Sequence, residues 1–501
     1  MANRVLVVGW DGADWDILDP LLAAGELPML ASLVERGQRG VSRSCLPSHS
    51  WAAWPTFLTG RDPGGHGVFD ILEYRPGATR RLPVSYRSIL APTWPQRLSE
   101  AEKTTLLVNV PLTYPPPEIR GVAIAGGVVP PGTTFSSPAE AGPRLGWPIN
   151  GGSWTTFRHR PLELVADVEE LTRKRADAMR TLLDEEPWEA ACIVFVSPDR
   201  IQHCLLEYVH PGHPAHADVA ASPVADRVRD VYRLLDQELA TLVKRTDEDD
   251  LVVLMSDHGH QPVTRALSMN KVLEHLGFLR FGRGSALVNL LAWGRARSLA
   301  RVVYDRLRLH GRVAVPTAPI DWAHTSAYTS VVSTGEGVSL NLAGREPGGI
   351  VAPADYERVR DEVAAALLEF KDPETGRSPV GGVLRKEDVL SGPHLDRAPD
   401  LLLQPAPLYS LTHARQLVEE ADWLSGDHRP EGVYALTGPG VSPGEGPELS
   451  LADFAGRIAE AVGLEADPEW GRGAAVESVS VFSDEEERLV EERLRGLGYL
   501  E

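Results

Sequence analysis

The chain has 501 residues and a formal net charge of −20, with 43% hydrophobic and 24% charged residues. This composition is typical of a globular protein. The length exceeds that of one ordinary domain, although an α/β domain with insertions would cover most of it. The acidic excess argues against a nucleic-acid backbone or an anionic membrane as a partner. A local basic pocket for a small anion is compatible with it.

The number of cysteines and the N-terminal residues predict the cellular compartment of the protein. Cys45, Cys192 and Cys204 are too few and too scattered for a disulfide framework or a CxxC zinc site. The first apolar run is shorter than the core of a signal peptide, and no stretch approaches the roughly 20 apolar residues of a spanning helix. We therefore expect a cytoplasmic protein without a membrane partner.

Short, nearly continuous apolar runs predict buried parallel strands. Stretches with helical periodicity separate several of these runs, and this alternation predicts an α/β fold with a mostly parallel central sheet and helices on both faces. Ligands of such sheets gather at the carboxyl ends of the strands, where the sequence places Asp11, Asn109, Asp199 and Asp257. The predicted strands are 4–9, 105–110, 122–125, 191–196, 250–256 and 432–437, and the predicted helices include 14–35, 162–183 and 224–243.

Residues 265–395 interrupt this alternation and predict a smaller inserted α+β cap. Helices are expected there at 299–309 and 354–370, and strands at 331–333 and 338–342. The catalytic core is then expected to comprise 1–264 and 396–470, resuming with a strand at 400–403. Residues 471–501 form a charged, amphipathic helical tail in this interpretation.

A polar turn that leads into an apolar helix contains Ser50, in the segment from Ser48 to Gly60. Unpaired N–H groups and a partial positive charge at a helix N-terminus can hold a phosphoryl group close to such a hydroxyl. Serines at helix starts are mostly caps, so the hydroxyl alone does not predict catalysis.

Aspartates and histidines recur after the predicted strands. Asp199 and His203 are four residues apart and would share a helix face, Asp257 and His258 follow a strand, and His428 lies far downstream. Each is commonly a turn former or a surface residue when taken singly. Together, carboxylates and imidazoles suit zinc or another divalent ion, and two ions about 3.5–4 Å apart could clamp both oxygens of an in-line displacement.

In combination these motifs resemble the alkaline phosphatase superfamily, and most closely its type I phosphodiesterase/nucleotide pyrophosphatase branch. The likeness covers about residues 4–440. The motifs that carry it are Gly9-Trp-Asp-Gly12, Ser50 nine residues before Thr59-Gly60, Pro63-Gly-Gly-His-Gly67, Asp199 with His203, Ser256-Asp-His-Gly259 and Gly426-Asp-His-Arg429.

The resemblance implies an alkaline-phosphatase-like core and two divalent metal ions, most often zinc, with manganese or another first-row metal as alternatives. Ser50 would lie beside the second ion, attack phosphorus and form a phosphoseryl intermediate. The substrate would be a small phosphate ester such as a nucleotide. One ion would be held by Asp199, His203 and His428, and the other by Asp11, Asp257, His258 and Ser50.

Several assignments stay open. The branch usually has Thr where Ser50 stands, so preference for diesters or monoesters is undecided. Ser48 and His49 compete for the nucleophile role, and Ser50 is preferred because of its spacing to Thr59-Gly60. Asn109 is either a donor to a phosphate oxygen or a turn former. Arg200 and Arg429 are candidate substrate contacts.

Three other functions compete with a phosphodiesterase. The first is a phosphomonoesterase or phosphotransferase of the same superfamily. The second, of another class, is a non-catalytic protein that binds metal and a phosphorylated ligand. A sulfatase is disfavoured because His49 stands where that signature needs Arg, and because Cys45 is misplaced relative to Thr59-Gly60. The oligomeric state is open.

Overall fold

The computed structural model describes residues 2–73, 81–148, 157, 160–282, 320–412, 414, 416–422, 424–465 and 482–496. The predicted helix at 299–309 lies outside these residues.

The central element is a ten-stranded sheet in the order β19-β2-β18-β9-β1-β8-β5-β6-β7, with β20 paired to β2. Its middle, from β9 to β6, is parallel, whereas β18 and β7 run antiparallel to their neighbours. The predicted mostly parallel sheet is therefore confirmed. Its strands are β1 (Val5–Trp10), β2 (Gln38–Arg43), β5 (Thr105–Val108), β6 (Gly121–Ile124), β7 (Ser136–Ser137), β8 (Ala190–Phe195), β9 (Leu251–Met255), β18 (Glu431–Thr437), β19 (Gly444–Glu445) and β20 (Leu449–Ser450).

Helices cover both faces of this sheet because successive strand side chains point to opposite sides. Leu6 and Val8 of β1 belong to one apolar core, while Val5 and Val7 belong to the other. The first core is covered by α1 (Trp15–Ala23), α2 (Pro28–Arg36), α7 (Pro161–Glu185) and α10 (Pro223–Val243), and the second by α3 (Ser50–Thr59), α5 (Trp94–Glu100), α14 (Asp453–Ala461) and α15 (Asp484–Gly496).

Shorter helices lie between these elements. They are α4 (Pro63–His66), α6 (Ala141–Arg144), α8 (Ser197–Leu205), α9 (His216–Val219), α11 (Met269–His275), α12 (Tyr356–Glu369) and α13 (Lys386–Val389). Within the described residues no single helix meets the length and hydropathy expected of a membrane span. Only α1 and α2 meet it jointly, and they are bent by 101°.

The single helix predicted at 14–35 is wrong, because α1 and α2 are separate. Gly25 between them has φ = 72°, a left-handed conformation that glycine adopts without a Cβ clash. Pro28 then starts α2, at a position where its missing N–H costs nothing.

A third apolar core lies under a smaller sheet in the order β11-β12-β14-β13. The strand expected to return to the core at 400–403 is instead β14 of this sheet, where it pairs with β12 and β13. The expected strand at 331–333 is a turn, held by the Asp70 carboxylate, which accepts hydrogen bonds from the backbone N–H groups of Val332 and Ser333. These strands are β11 (Ala327–Thr329), β12 (Gly337–Leu340), β13 (Val380–Arg385) and β14 (Leu401–Pro405).

Two further small sheets lie in the part of the chain that the structure describes. One joins β10 (Gly259–Leu267) with β15 (Leu408–Ser410), β16 (Val418–Glu420) and β17 (Gly426–Arg429), and the other pairs β3 (Leu72–Glu73) with β4 (Leu82–Pro83). The bounds of the proposed cap remain a prediction.

In the described part of the tail, α15 packs on the body. Val490 and Leu494 are buried in the core that also contains Trp51, and Phe482 stacks on Tyr114 with ring centroids 5.8 Å apart. This helix therefore packs against the core that α3 also covers.

We expect Leu182→Ala to lower the free energy of unfolding by about 2–5 kcal/mol, because this fully buried side chain of α7 would leave a cavity. Leu162→Ala on the same helix is the control: its side chain is 52% exposed, and the loss should stay below about 0.5 kcal/mol. Urea unfolding of both variants measures the difference. Equal losses would contradict the assignment of the buried face.

Candidate active site

Three carboxylates converge because their strands are neighbours. β1 pairs with β8 on one side and with β9 on the other, all parallel. Asp11 follows β1 directly, Asp257 follows β9, and Asp199 lies in the first turn of α8, after β8. The N–H of Asp199 donates to the carbonyl oxygen of Asp11 at 3.0 Å. These strand ends bring the carboxyl groups to one edge of the sheet.

Ser50 lies at this edge as the first residue of α3, with His49 as the N-cap. Its Oγ is 3.2 Å from Oδ1 of Asp11 and 3.1 Å from Nε2 of His258. One turn later, Nε1 of Trp54 donates to the other Asp11 oxygen at 2.9 Å. Asp11 is thereby held between two side chains of the same helix, so its position relative to Ser50 is defined.

Asp257 and His258 complete the group around Ser50. Nε2 of His258 lies 3.3 Å from Oδ2 of Asp257 and 3.6 Å from Oδ1 of Asp11. The second Asp257 oxygen accepts a hydrogen bond from the N–H of Gly12 at 3.2 Å. The structure therefore brings together all four residues expected around the second ion.

A second group surrounds Asp199. Its Oδ1 is 3.2 Å from Nε2 of His203, 3.7 Å from Nε2 of His428 and 3.6 Å from Nε2 of His260. These four residues are buried, and their ligand atoms all lie within 4.8 Å of one another. The ligand atoms of Asp11, Asp199 and His258 also lie within 4.8 Å of one another. Asp199 thus borders both groups.

The imidazoles present Nε2 to the site because Nδ1 is engaged elsewhere. Nδ1 faces a backbone oxygen in His203 (Gly426, 3.0 Å), His258 (Gly259, 3.2 Å) and, at longer range, His260 (Gly12, 3.4 Å). In neutral histidine an Nδ1–H donated to a carbonyl leaves the Nε2 lone pair available for a metal ion.

Burial and mutual electrostatic interaction change the pKa values of the three carboxyl groups. Burial and the nearby charges of Asp257 and Asp199 raise the pKa of Asp11 well above its usual value, and burial with Asp199 raises the pKa of Asp257 to about 7. Burial opposes ionisation of Asp199 as well, but the imidazoles, His203 foremost, hold the pKa of its carboxyl well below the usual range. Three buried carboxylates at one point favour bound cations.

His260 was missed from the sequence. It lies on β10, two residues beyond His258, and is directly opposite His428 on β17 in the antiparallel register. Alternate residues of a strand share a face, so the Asp257-His258-Gly259-His260 pattern was a usable signal. Burial lowers the pKa of His260 well below its usual value, which keeps the imidazole neutral.

Three more residues support the site without having been predicted. Trp54 bonds to Asp11 as described, and Asp427 lies 3.1 Å (Oδ1) from Nδ1 of His428. Glu336, from the segment preceding β12, accepts a hydrogen bond from the N–H of Ser48 at 3.1 Å. Burial and Asp427 raise the pKa of Glu336 to about 8. The contacts of Trp54 and Glu336 link distant segments and carry no local sequence signal, whereas Asp427 is adjacent to His428 in the sequence.

The three predicted substrate contacts, Asn109, Arg200 and Arg429, have different surroundings in the structure. The amide nitrogen of Asn109 donates to the carbonyl of Val194 at 2.7 Å, and its φ of 57° fits the turn-forming alternative. Nη2 of Arg200 contacts Asp167 at 2.7 Å. Arg429 is held by ion pairs to Asp14 and Asp16. Their proposed contacts with a substrate stay predictions.

A serine hydroxyl at a helix N-terminus, with buried carboxylates and imidazoles suited to cations, defines the class of metal-dependent phosphoric ester hydrolases. A sequence profile of the type I phosphodiesterase/nucleotide pyrophosphatase family matches residues 5–431, and the chain belongs to this family. The predicted family and enzyme class are confirmed. Comparison with curated proteins gives no match.

Solved structures share the fold. Phosphonoacetate hydrolase from Sinorhizobium meliloti 1021, in complex with phosphonoacetate, has a TM-score of 0.59 at 18% identity, over 92% of this chain and 96% of that one. An inactive murine ectonucleotide pyrophosphatase/phosphodiesterase 5, in complex with AMP, has a TM-score of 0.51 at 13% identity, over 93% and 96%. These likenesses confirm the expected α/β core.

We expect His260→Ala to weaken metal binding at least tenfold, because one of four converging donors around Asp199 is lost. Equilibrium dialysis with zinc or manganese, followed by elemental analysis, measures affinity and stoichiometry without turnover. His324→Ala is the control, since that imidazole is 60% exposed and pairs with Asp321. Unchanged affinity in His260→Ala would exclude His260 from the metal centre.

Proposed function

We propose that this protein is a phosphodiesterase that hydrolyses small phosphate esters through a phosphoseryl intermediate on Ser50, with two divalent cations. The observation that carries the proposal is the position of the Ser50 Oγ, which lies between Asp11 and His258 at the start of α3. The same edge of the sheet holds a second group of buried ligand atoms around Asp199.

The residues present fit two cations. Oδ2 of Asp257 and Nε2 of His260 are buried and make no hydrogen bond in the part of the chain that the structure describes, and hard oxygen and imidazole donors suit zinc or manganese. Cations bound here would neutralise phosphoryl charge and lower the pKa of the serine hydroxyl. Asp199, His203, His260 and His428 would hold one cation, and Asp11, Asp257, His258 and Ser50 the other.

Side chains of the site and the N-terminus of α3 position the reacting groups. Ser50 loses its hydroxyl proton as Oγ forms the bond to phosphorus, the ester bond to the leaving group breaks, and the departing oxygen takes up a proton. The oxygen of a water molecule then bonds to phosphorus, the Oγ–P bond breaks, and Oγ regains a proton. The positive end of α3 lies beside the negative phosphoryl oxygens during both steps. Trp54 keeps Asp11 in place through its hydrogen bond.

The substrate we propose is a small phosphate ester, such as a nucleotide. The solved relatives support this choice, since one is a phosphonoacetate hydrolase and another was crystallised with AMP. A phosphomonoesterase remains the alternative outcome. We also propose that the protein acts in the cytoplasm, which its three free cysteines support; cell fractionation tests this.

Ser50→Ala should lower kcat on bis(4-nitrophenyl) phosphate at least 10³-fold, because the attacking oxygen is removed. Ser48→Ala, two residues earlier in the same turn, should stay within a few-fold of wild type. Rapid quenching followed by peptide mass analysis should find the phosphoryl group on Ser50 in wild type only. Full activity in Ser50→Ala would refute the mechanism. A higher kcat/KM on 4-nitrophenyl phosphate would indicate a monoesterase.

Chelation should abolish this activity, because the carboxylates and imidazoles do not replace cations as Lewis acids. Dialysis against a chelator is expected to remove at least 99% of the turnover. Adding zinc or manganese should restore it, and elemental analysis of the active protein should approach two ions per chain. Activity that persists in metal-free protein would contradict the proposed centre.

A further inference from the structure

A largely buried ion pair contacts the two strands that carry His260 and His428. Asp14, the N-cap of α1, is 1% exposed, and its Oδ1 lies 2.5 Å from Nη2 of Arg429. Nη1 of Arg429 also pairs with the half-exposed Asp16 at 2.9 Å. Because both groups of a buried pair lose their hydration, such a pair is weak evidence for stability. Its role therefore has to be sought in the groups that the two side chains hold.

The Asp14 carboxylate holds the backbone of one expected cation ligand. Its Oδ2 accepts a hydrogen bond from the N–H of His260 at 3.1 Å, and its Oδ1 accepts one from the N–H of Asp16 at 2.8 Å. The residue before His260 is Gly259, where a Cβ would lie only 2.6 Å from Oδ2 of Asp14. Asp14 thus fixes the start of β10 against the start of α1.

Arg429 follows a second expected ligand, His428, on β17. Successive residues of a strand point to opposite faces. The imidazole of His428 accordingly lies 3.7 Å from Asp199, while the guanidinium of Arg429 contacts Asp14. β17 pairs with β10 in an antiparallel register that places His428 opposite His260. The ion pair therefore connects both histidine-bearing strands to the turn before α1.

The same turn also contacts the ring of His260. Two residues before Asp14, the carbonyl oxygen of Gly12 lies 3.4 Å from Nδ1 of His260. This oxygen is itself held by Nε2 of Gln202, which donates to it at 2.7 Å. A shift of Asp14 would consequently move His260 through its backbone N–H and would change the contact that orients its ring.

We propose that Asp14 and Arg429 are positioning residues for the cation bound in the group around Asp199. This inference rests on the proposed function and deepens it, because the ion pair fixes the directions in which His260 and His428 present Nε2 and is not itself a ligand. Groups that orient metal-binding histidines typically change metal affinity 10–100-fold when they are mutated. This role differs from the substrate contact that the sequence predicts for Arg429.

The test measures cation affinity in two variants that change the local charge in opposite directions. Asp14→Asn removes a negative charge and keeps a side chain that can cap α1, whereas Arg429→Gln removes a positive charge. Loss of positioning weakens binding in both, and we expect the affinity for one of the two ions to fall about 10–100-fold. Equilibrium dialysis with zinc or manganese at pH 8, followed by elemental analysis, measures affinity and stoichiometry without turnover.

Each variant has a control with the same change of charge. Asp16→Asn removes the half-exposed partner of Arg429 and leaves the hydrogen bond from Asp14 to His260 in place. Arg265→Gln, further along β10, breaks a different buried ion pair, which Nε of Arg265 makes with Asp372 at 2.6 Å. The cation affinity of both controls should stay within a few-fold of wild type.

Two further variants keep the charges and change only the geometry. Asp14→Glu moves the carboxylate by one methylene group, and Arg429→Lys replaces the planar guanidinium with an ammonium group that cannot pair in the same way. Both should also weaken cation binding at least tenfold. They replace the first two variants where urea unfolding of the metal-free protein shows that these do not fold.

Other outcomes overturn the positioning role. Tighter binding in Arg429→Gln together with weaker binding in Asp14→Asn would show an effect of charge alone. Unchanged affinity in both, or an equal loss in Arg265→Gln, would also contradict it.

Failure of the proposed function gives a different result. Wild type that binds two ions but cleaves no phosphate ester refutes the proposed function and leaves the positioning role to be judged by the affinities. Wild type that binds neither zinc nor manganese refutes both. Wild type that binds ions and cleaves esters, with unchanged affinity in the variants, refutes the positioning role alone.

Discussion

The site depends on one constraint, which is the parallel pairing of β1 with β8 and β9. Because these three strands run side by side in the same direction, their carboxyl ends place Asp11, Asp199 and Asp257 at a single edge of the sheet. Burial and the mutual repulsion of the carboxylates raise the pKa values of Asp11 and Asp257. Cations bound between the carboxylates would stabilise the arrangement.

Other elements are positioned relative to this edge. The start of α3 brings Ser50 against Asp11, and Trp54 of the same helix fixes the second oxygen of that carboxylate. His260 on β10 and His428 on β17 are opposite each other in an antiparallel pair, and both lie close to Asp199. Glu336 connects the small sheet to the turn before Ser50. Residues far apart in the chain thus determine the geometry of the nucleophile.

Segments outside the central sheet also approach the site. Val490 and Leu494 of α15 are buried in the core that contains Trp51, the residue after Ser50. Glu336, which precedes β12, accepts a hydrogen bond from the N–H of Ser48. In the proposed mechanism the edge of the central sheet performs ester cleavage, and connections of this kind support it.

The sequence by itself determined the α/β class and six of the ten central strands, because buried parallel strands are continuous apolar runs. The resemblance to the alkaline phosphatase superfamily implied seven of the eight residues proposed to hold the two cations, all except His260. The sequence did not reveal the break between α1 and α2 at Gly25, or that β14 belongs to the small sheet. An apolar run predicts a buried strand but does not identify the strand with which it pairs. The place of His260, opposite His428 and 3.6 Å from Asp199, was decided by tertiary structure. Strand register and helix docking bring such residues together across the chain, and no local pattern encodes those distances.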